Sequence, residues 1–332
     1  MVDRKIRAGL ERMGLLAPGE RADFVALGGG VSSDIWRVEA GGRRFCVKRA
    51  LPRLKVTADW RVPVARNRFE AAWLRTVAAI LPDAVPPLLG EDRETGLFAM
   101  AFLEPERYRL WKGELMAGRV DPSAAAAVGE ALARIHRETA GDADIARRFA
   151  TDELFHALRL EPYLEATARV RPEVAGALRR LSNETAARRQ ALVHGDVSPK
   201  NILLGPRGPV FLDAECAWYG DPAFDLAFCL KHLLLKAVQL PAHRDPLLDS
   251  YAALADSYLA GIRFTSPREL AARAARLLPG LLLARIDGKS PVEYLVDEEK
   301  RAFVRTLAIS LLREPPEDLE TVAALWQREL AA

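Results

Sequence analysis

An aspartate, an asparagine and a second aspartate lie close together in the middle of the chain, in a pattern suited to phosphate chemistry. Asp196 and Asn201 belong to HGDVSPKNILL (194–204), and Asp213 ends the strand-like piece PVFLD (209–213). The turn between the two pieces predicts a hairpin that brings Asn201 and Asp213 to one end, near Asp196. Two such oxygen ligands suit Mg²⁺, which proteins hold through few side chains together with phosphates. A further carboxylate outside the metal shell can orient an attacking hydroxyl.

The elements that must position these residues form two predicted lobes that meet near residues 103–105. The N-terminal part is rich in strands and the C-terminal part is helical, which predicts an α+β, two-lobed fold made of residues 1–103 and 104–332. Strands are predicted at 23–27, 34–40, 44–50 and 96–103, with helices at 3–15 and 63–80. Further helices are predicted at 121–136, 153–168, 172–189, 222–238, 246–262, 267–284, 297–312 and 318–331, and short strands within 191–213.

The order HGD-x4-N, a strand-ending Asp and GDPAFDLA (220–227) resembles the aminoglycoside phosphotransferase and choline kinase family. These are small-molecule kinases with a protein-kinase-like fold. The resemblance implies ATP and Mg²⁺ as cofactors, Asp196 as the catalytic residue, and Asn201 and Asp213 as the metal ligands. It also implies that His194 and Asp225 are structural and tie the loop together.

The same resemblance predicts nucleotide-binding parts in the N-terminal lobe. The predicted phosphate-covering loop holds Gly28, Gly29, Gly30, Ser32 and Ser33. Glycine lets the backbone approach phosphate closely, although Ser33 stands where protein kinases have a third glycine, and a plain hairpin turn is an equally good interpretation of the glycines alone. Lys48 would pair with the phosphates and Glu70 with Lys48. Backbone groups from Ala101 to Leu103 would bind the adenine edge.

A narrower resemblance, to the 5-methylthioribose kinases, is carried by ALPRLKV (50–56), Trp60, Pro63 and the D-x-E of DAECAWYG (213–220). It implies that Glu215 is an additional Mg²⁺ ligand or contacts the ion through water. Two departures argue against the substrate of that family. Those kinases carry Ser near position 201 and a paired Arg near position 284, whereas this chain has Asn201 and Ala284 and retains only Arg285.

Two segments of the helical lobe are candidates for acceptor binding. Trp218 follows the metal-binding strand and could stack on a sugar or a cationic group, although such residues more often pack on the core. The polar stretch LARIDGKSPVEYL (283–295) contributes Arg285 and Asp287, or is simply a surface turn. Eleven basic and eleven acidic residues lie in 261–332, so the sequence does not indicate the acidic trough that a polycationic antibiotic would need.

The composition argues against several other classes of function. The 332 residues carry 48 basic and 45 acidic side chains, without a basic arm, so nucleic-acid binding is not expected. Three scattered Cys and the lack of a long apolar run predict a cytoplasmic protein without disulfides or a membrane partner. The prediction is an ATP-dependent phosphotransferase acting on a small-molecule hydroxyl, such as that of a sugar, an amino alcohol or an antibiotic. The alternatives are a catalytically silent nucleotide-binding protein and, less well supported, a protein kinase, which would need D-F-G and A-P-E segments.

Overall fold

A five-stranded antiparallel sheet forms the N-terminal part of the computed structural model, which describes residues 4–28, 33–51, 64 and 66–331. The strand order is β1-β2-β3-β5-β4. The strands are β1 (Asp23–Leu27), β2 (Ser33–Ala40), β3 (Arg43–Ala50), β4 (Leu88–Asp92) and β5 (Leu97–Ala101). Gly41 and Gly42 make the β2–β3 turn with φ of 54° and 74°, a conformation in which glycine is not strained.

One helix covers each face of this sheet, and the alternation of side chains along β3 explains why. Phe45 and Val47 point into a small core beneath α1 (Arg4–Arg12), together with Ile6 and Leu10. The intervening residues of β3 face α2 (Arg66–Ile80), because successive side chains of a strand point to opposite faces. Lys48 is therefore directed toward α2.

The C-terminal part is mainly helical and packs around one large core. Its helices are α3 (Trp111–Met116), α4 (Pro122–Thr139), α5 (Ala143–Arg148), α6 (Asp152–Phe155), α7 (Ala166–Val170), α8 (Ala175–Ala186), α9 (Ala223–Gln239), α10 (Arg244–Gly261), α11 (Pro267–Asp287), α12 (Glu298–Arg313) and α13 (Leu319–Ala331). Helix α9 is buried almost from end to end, which its apolar sequence explains. The described ranges contain no helix long and apolar enough to cross a bilayer.

Short strands inside the helical part carry the central motif. β8 (Ile202–Gly205) and β9 (Gly208–Phe211) form the predicted hairpin, and β6 (Arg109–Leu110) pairs with β8. β7 (Ala191–Val193) pairs with β10 (Trp218–Gly220). The predicted two-lobed α+β fold is confirmed, because a strand-rich part comes first in the chain and a mainly helical part follows it.

Local differences from the sequence prediction have physical causes. β4, β6 and β10 were not predicted, because each is short, and β4 is also irregular between Leu88 and Gly90. The predicted helix 153–168 is π-helical over His156–Glu165 around Pro162, which cannot donate a backbone hydrogen bond. Helix α11 extends three residues beyond its predicted end, so Arg285 and Asp287 are helical rather than part of an irregular turn.

Candidate active site

One carboxylate binds the backbone of the loop that carries Asp196. Asp225, near the start of α9, accepts hydrogen bonds from the backbone N–H groups of His194 at 2.7 Å and Gly195 at 2.8 Å. Gly195 has a φ of 78°, and a Cβ at this position would lie 2.7 Å from the carbonyl oxygen of Cys216. Only glycine fits both the conformation and the space.

His194 is buried and uses both ring nitrogens within the loop. Its Nδ1 accepts the backbone N–H of Asp196 at 3.1 Å, so Nε2 carries the proton and donates to the carbonyl oxygen of Leu212 at 3.0 Å. Burial lowers the pKa of His194, and the ring packs edge-on against Trp73. These contacts make His194 a neutral bridge between the loop and the end of the hairpin.

Two cations hold the carboxylate of Asp196. The guanidinium of Arg159 lies 3.0 Å from Oδ2, and the ammonium of Lys200 lies 3.2 Å from the same oxygen. Burial disfavours the charged carboxylate, but Lys200 and Arg159 outweigh it and hold the pKa of Asp196 well below its usual range. Asp196 is therefore ionised at neutral pH although its side chain is almost inaccessible.

Asn201 and Asp213 reach the same place from the two strands of the hairpin. The amide nitrogen of Asn201 donates to the backbone oxygen of Asp196 at 3.1 Å, which leaves the amide oxygen as the group that could bind a cation. The backbone of Asn201 also accepts the N–H of Leu212 at 2.8 Å. Asp213 follows with a φ of 65°, a conformation rare outside glycine, and backbone strain of this kind is concentrated at functional sites.

Lys48 connects the sheet to this site. Its ammonium lies 2.8 Å and 2.6 Å from the two carboxylate oxygens of Glu70 and also forms an ion pair with Asp213. Burial disfavours the ammonium, but Asp213 and Glu70 outweigh it and raise the pKa of Lys48 above its usual value. One fully buried cation therefore joins β3, α2 and the end of the hairpin.

Residues 23–264 match the phosphotransferase enzyme family. The chain belongs to this family. The methylthioribose kinase of Pectobacterium carotovorum is 28% identical over 229 residues, which cover 61% of this chain and 57% of that protein. The chain thus spans a little more than half of that relative's length.

Solved structures show that the fold is kinase-like. A choline/ethanolamine kinase family protein from Mesorhizobium loti superposes with a TM-score of 0.53 at 18% identity, covering 99% of this chain and 97% of its own. An ethanolamine kinase of Plasmodium vivax superposes with a TM-score of 0.58 at 14% identity, covering 93% and 89%. The predicted resemblance to phosphotransferases is confirmed. At these identities, the structural likeness establishes only the fold.

The other predicted site residues differ in how well they are placed. Glu215 lies 2.9 Å from Nε of the buried Arg66, so its carboxylate already has a cationic partner close to Lys48 and Asp213. Ser33 begins β2 with its hydroxyl buried and without a hydrogen-bond partner among the described residues. Gly28 ends the described part of the preceding segment. The predicted residues Gly29, Gly30, Ser32, Trp60 and Pro63, with positions 52–56, lie outside the described residues.

The predicted adenine-binding backbone begins at the end of β5, an interior strand of the sheet. Ala101 ends β5, opposite Phe45 of β3, and its N–H donates to the carbonyl oxygen of Pro87 at 2.9 Å. That N–H group is therefore already used within the protein. Leu103, two residues beyond the strand, remains the predicted backbone contact for adenine.

Trp218 packs on the core, which is the more common of the two placements expected for it from the sequence. Its indole is 1% exposed and stacks on Phe155 with a centroid separation of 4.2 Å. The indole N–H donates to Asp152 at 2.8 Å. The residue packs β10 against α6, as aromatic residues after short strands commonly do.

Arg285 and Asp287 both lie on α11, but their side chains have different partners. Arg285 is buried, and its Nη1 donates to the hydroxyl of Ser290 at 2.9 Å. Asp287 instead binds Arg171 at 2.7 Å and Arg305 at 3.0 Å, between α7 and α12. The structure thus assigns Asp287 to an ion-pair network and removes it from the predicted acceptor residues, whereas Arg285 remains a candidate.

Sequence reasoning missed the cations around Asp196. Arg159 lies within the predicted helix 153–168, but that segment is π-helical from His156 to Glu165, so α-helical spacing did not predict where its side chain points. Lys200 stands inside the recognised motif, and Lys231 interrupts the apolar helix AFDLAFCLKHLLLKAVQ, which was a usable signal. A lysine in the middle of an otherwise apolar, buried helix is uncommon unless it has a partner or a function.

Proposed function

We propose that the protein is an ATP- and Mg²⁺-dependent kinase that transfers the γ-phosphoryl group of ATP to a hydroxyl of a small molecule. One observation carries the proposal. The buried Lys48–Glu70 pair reaches Asp213, while Asn201 at the other strand of the same hairpin contacts the loop of Asp196. Phosphoryl transfer needs little covalent participation from the protein, so catalysis depends on positioning and on charges placed in this way.

Nucleotide binding would use the sheet. Lys48 has the two carboxylates of Glu70 and Asp213 as partners, and phosphate oxygens would take the place of Asp213 beside its ammonium. The buried, unpartnered hydroxyl of Ser33 offers a further donor. Residues 1–103 are accordingly proposed as the nucleotide lobe, and residues 104–332 as the catalytic and acceptor lobe.

Asn201 and Asp213 fit a magnesium site completed by nucleotide. In the part of the chain that the structure describes, no three His, Cys, Asp or Glu side chains come together as a self-sufficient metal site. An Asn oxygen and an Asp carboxylate are hard oxygen ligands of the kind Mg²⁺ accepts beside phosphates, with Glu215 as a water-mediated contact. The bound ion would neutralise charge on the transferred phosphoryl group.

Asp196 is proposed as the residue that orients the acceptor hydroxyl. Because Lys200 and Arg159 keep its pKa low, the carboxylate is a hydrogen-bond acceptor at neutral pH and only a weak base. A weak base suits a reaction in which the hydroxyl loses its proton late, after the bond to phosphorus has begun to form. Asp196 would then bind the hydroxyl proton through the reaction and accept it at the end.

The test compares nucleotide binding with turnover. Mg²⁺-ATP should raise the melting temperature of the wild-type protein well above the value with Mg²⁺ alone, since a ligand that binds only the folded state stabilises it. ADP release should depend on the addition of an acceptor. Asp196→Asn should keep the nucleotide-induced shift and lose turnover by a factor of at least ~10², typical for a general acid–base residue, whereas Lys48→Met should weaken both.

The same measurements separate the kinase from its alternative. A nucleotide-induced shift without ADP release from any acceptor would favour a silent nucleotide-binding protein. Equal melting temperatures with and without millimolar Mg²⁺-ATP would count against both the kinase and the silent nucleotide-binding protein. Retained turnover in Asp196→Asn would remove the role assigned to that residue.

A further inference from the structure

Helix α9 carries three basic residues in an otherwise mainly apolar sequence. Lys231, His232 and Lys236 follow Phe228 at helical spacing, so the four side chains share one face. All three side chains are buried, and Lys231 is 0% exposed. Burial lowers the pKa of His232 well below its usual value, so the imidazole is neutral and only the lysines can carry a charge. The ammonium of Lys231 lies 2.7 Å from the centroid of the Phe228 ring.

The ring of Phe228 connects these residues to Asp196. The guanidinium of Arg159, which holds the Asp196 carboxylate, lies over the same ring at 5.6 Å from its centroid. Asp196 is close enough to favour the charged form of Lys231, but the two form no ion pair. The Phe228 ring therefore places Lys231 close to the cation that holds the proposed catalytic carboxylate.

Arg285 approaches Lys231 from α11. Helix α11 packs along α9, and the charge of Arg285 disfavours the ammonium of Lys231. Nζ of Lys231 and Nε of Arg285 are both buried without a hydrogen-bond partner among the described residues, whereas Nη1 of Arg285 donates to Ser290. An unpaired cation in a buried position is uncommon, and a pair of them beside a reactive carboxylate is typical of a binding site.

A purely structural role does not account for Lys231. A cation–π contact offsets only part of the cost of removing an ammonium ion from water, because the desolvation of an ion is the larger of the two effects. Burial, and then Arg285, lowers the pKa of Lys231 well below its usual value. An anion between Lys231 and Arg285 would offset this cost.

The remaining charged groups around the cluster do not supply that anion. Lys236 lies over the Tyr294 ring at 4.9 Å, and Glu293 is paired with Lys112. The groups that face the cluster from all packed elements are Arg159, Asp196, Lys200, Lys231, His232, Lys236, Arg285, Lys112, Glu293 and Tyr294. Cations outnumber carboxylates among them, which is the opposite of a site for polycations.

We infer that the acceptor carries an anionic group, a carboxylate or a phosphate, which binds between Lys231 and Arg285 while its hydroxyl faces Asp196. This inference rests on the proposed kinase function and names its substrate class. A charge-assisted hydrogen bond to each cation would fix the acceptor with its hydroxyl toward Asp196. Amino alcohols and polyamines would be rejected by the same cations, since like charges in a desolvated site repel strongly.

The test uses four compounds that share a three-carbon skeleton and differ in charge, namely glycerate, glycerol 3-phosphate, glycerol and 3-amino-1,2-propanediol. Thermal shifts are measured with and without saturating Mg²⁺ and a non-hydrolysable ATP analogue, and ADP release is measured with Mg²⁺-ATP. The two anionic compounds should bind the wild-type protein ~10- to 100-fold more tightly than glycerol, the range for hydrogen bonds to charged groups. The amine should bind worst. Comparison of the two anions identifies the preferred group.

Lys231→Met should abolish the preference for anions, because it keeps the length of the side chain and removes the charge. Lys300→Met, a lysine of α12 that binds Gln239, is the matched control and should keep the preference. Because Lys231→Met removes an unpaired buried cation, the variant should melt at a higher temperature than wild type. A loss of anion binding in this more stable protein cannot be attributed to unfolding.

Equal binding of charged and neutral compounds, a preference for the amine, or an anion preference that survives Lys231→Met would each overturn the inference. The absence of any anion-induced shift in the wild-type protein would overturn it as well. Failure of the kinase proposal has a different signature, which is the lack of a nucleotide-induced shift. In that case the measurements without nucleotide still decide whether Lys231 binds an anion.

Discussion

Asp225 binds the backbone N–H of His194 at 2.7 Å with one carboxylate oxygen, while the other binds the next N–H along the chain. His136 also contacts the carboxylate, at 3.2 Å. The start of α9 thereby fixes the position of the loop two residues before Asp196. The same helix carries Lys231 two turns later, so one rigid element positions both the proposed catalytic carboxylate and the proposed anion site.

Asp225→Asn should lower kcat with little change in KM for ATP. An amide has only one oxygen acceptor, so one of the two backbone N–H groups would face an amide nitrogen. We expect a loss of about 1–3 kcal/mol in the free energy of unfolding, the cost of an unsatisfied buried group. Denaturant unfolding and steady-state kinetics check this, with the exposed Asp249→Asn on α10 as the control for the same chemical change. An unchanged kcat would show that the loop does not need this support.

Gly195→Ala should destabilise the protein, whereas Gly176→Ala should not. Gly195 has a φ of 78°, and its added Cβ would meet the backbone of Cys216 at 2.7 Å. The conformation alone costs about 1–2 kcal/mol for an alanine, and the contact adds to this. Gly176 lies in α8 with no atom within 4 Å of an added Cβ, so alanine there should stabilise by about 0.5–1 kcal/mol. Opposite signs in urea unfolding are expected, and equal effects would contradict the loop geometry.

The stability of the protein should rise with pH above neutrality because of Lys236. Burial, and then Lys112, lowers the pKa of Lys236 to about 7, whereas the unfolded chain titrates near 10.4. Between these values the unfolded state binds more protons, so the free energy of unfolding increases with pH by up to ~1.4 kcal/mol per pH unit from this group. Below the folded pKa this contribution to the slope disappears.

Urea unfolding of wild type and Lys236→Met between pH 7 and 9 measures the effect. The variant should have a flatter dependence on pH and a higher stability at pH 7, because no buried amine has to lose its proton. Lys300→Met should retain the wild-type slope. If Lys236→Met and wild type had the same slope, Lys236 would be charged in the folded protein.

The sequence was sufficient for the parts of the site that are contiguous along the chain. Asp196, Asn201 and Asp213 lie within eighteen residues, and the strand pattern around them identifies the hairpin that joins them. In this segment a local element fixes the spacing, so the pattern carries the geometry. The pairing of Lys48 with Glu70 was instead implied by the family resemblance, because the two residues are 22 positions apart.

The acceptor side could not be predicted in the same way, because distant helices form it. Arg159, Lys231 and Arg285 come from three separate helical segments, and their proximity depends on how those segments pack. The place of Trp218 in the sequence allowed both a binding role and core packing, and the contact with Phe155 shows that it packs. Local polarity identified the stretch that contains Arg285 but not which of its residues turn inward.

The last prediction separates Arg285 from Asp287, two residues apart on α11. Asp287 is 10% exposed and joins Arg171 and Arg305, so Asp287→Asn should reduce the free energy of unfolding by about 1–3 kcal/mol and leave the acceptor KM unchanged. Arg285→Met should raise the acceptor KM or lower kcat/KM and leave KM for ATP nearly unchanged, because its Nε faces the proposed anion site without a partner. Urea unfolding and kinetics with the preferred acceptor measure both. If Asp287→Asn raised the acceptor KM without lowering stability, Asp287 would belong to the acceptor site. Its ion pairs with Arg171 and Arg305 would then not be needed for stability.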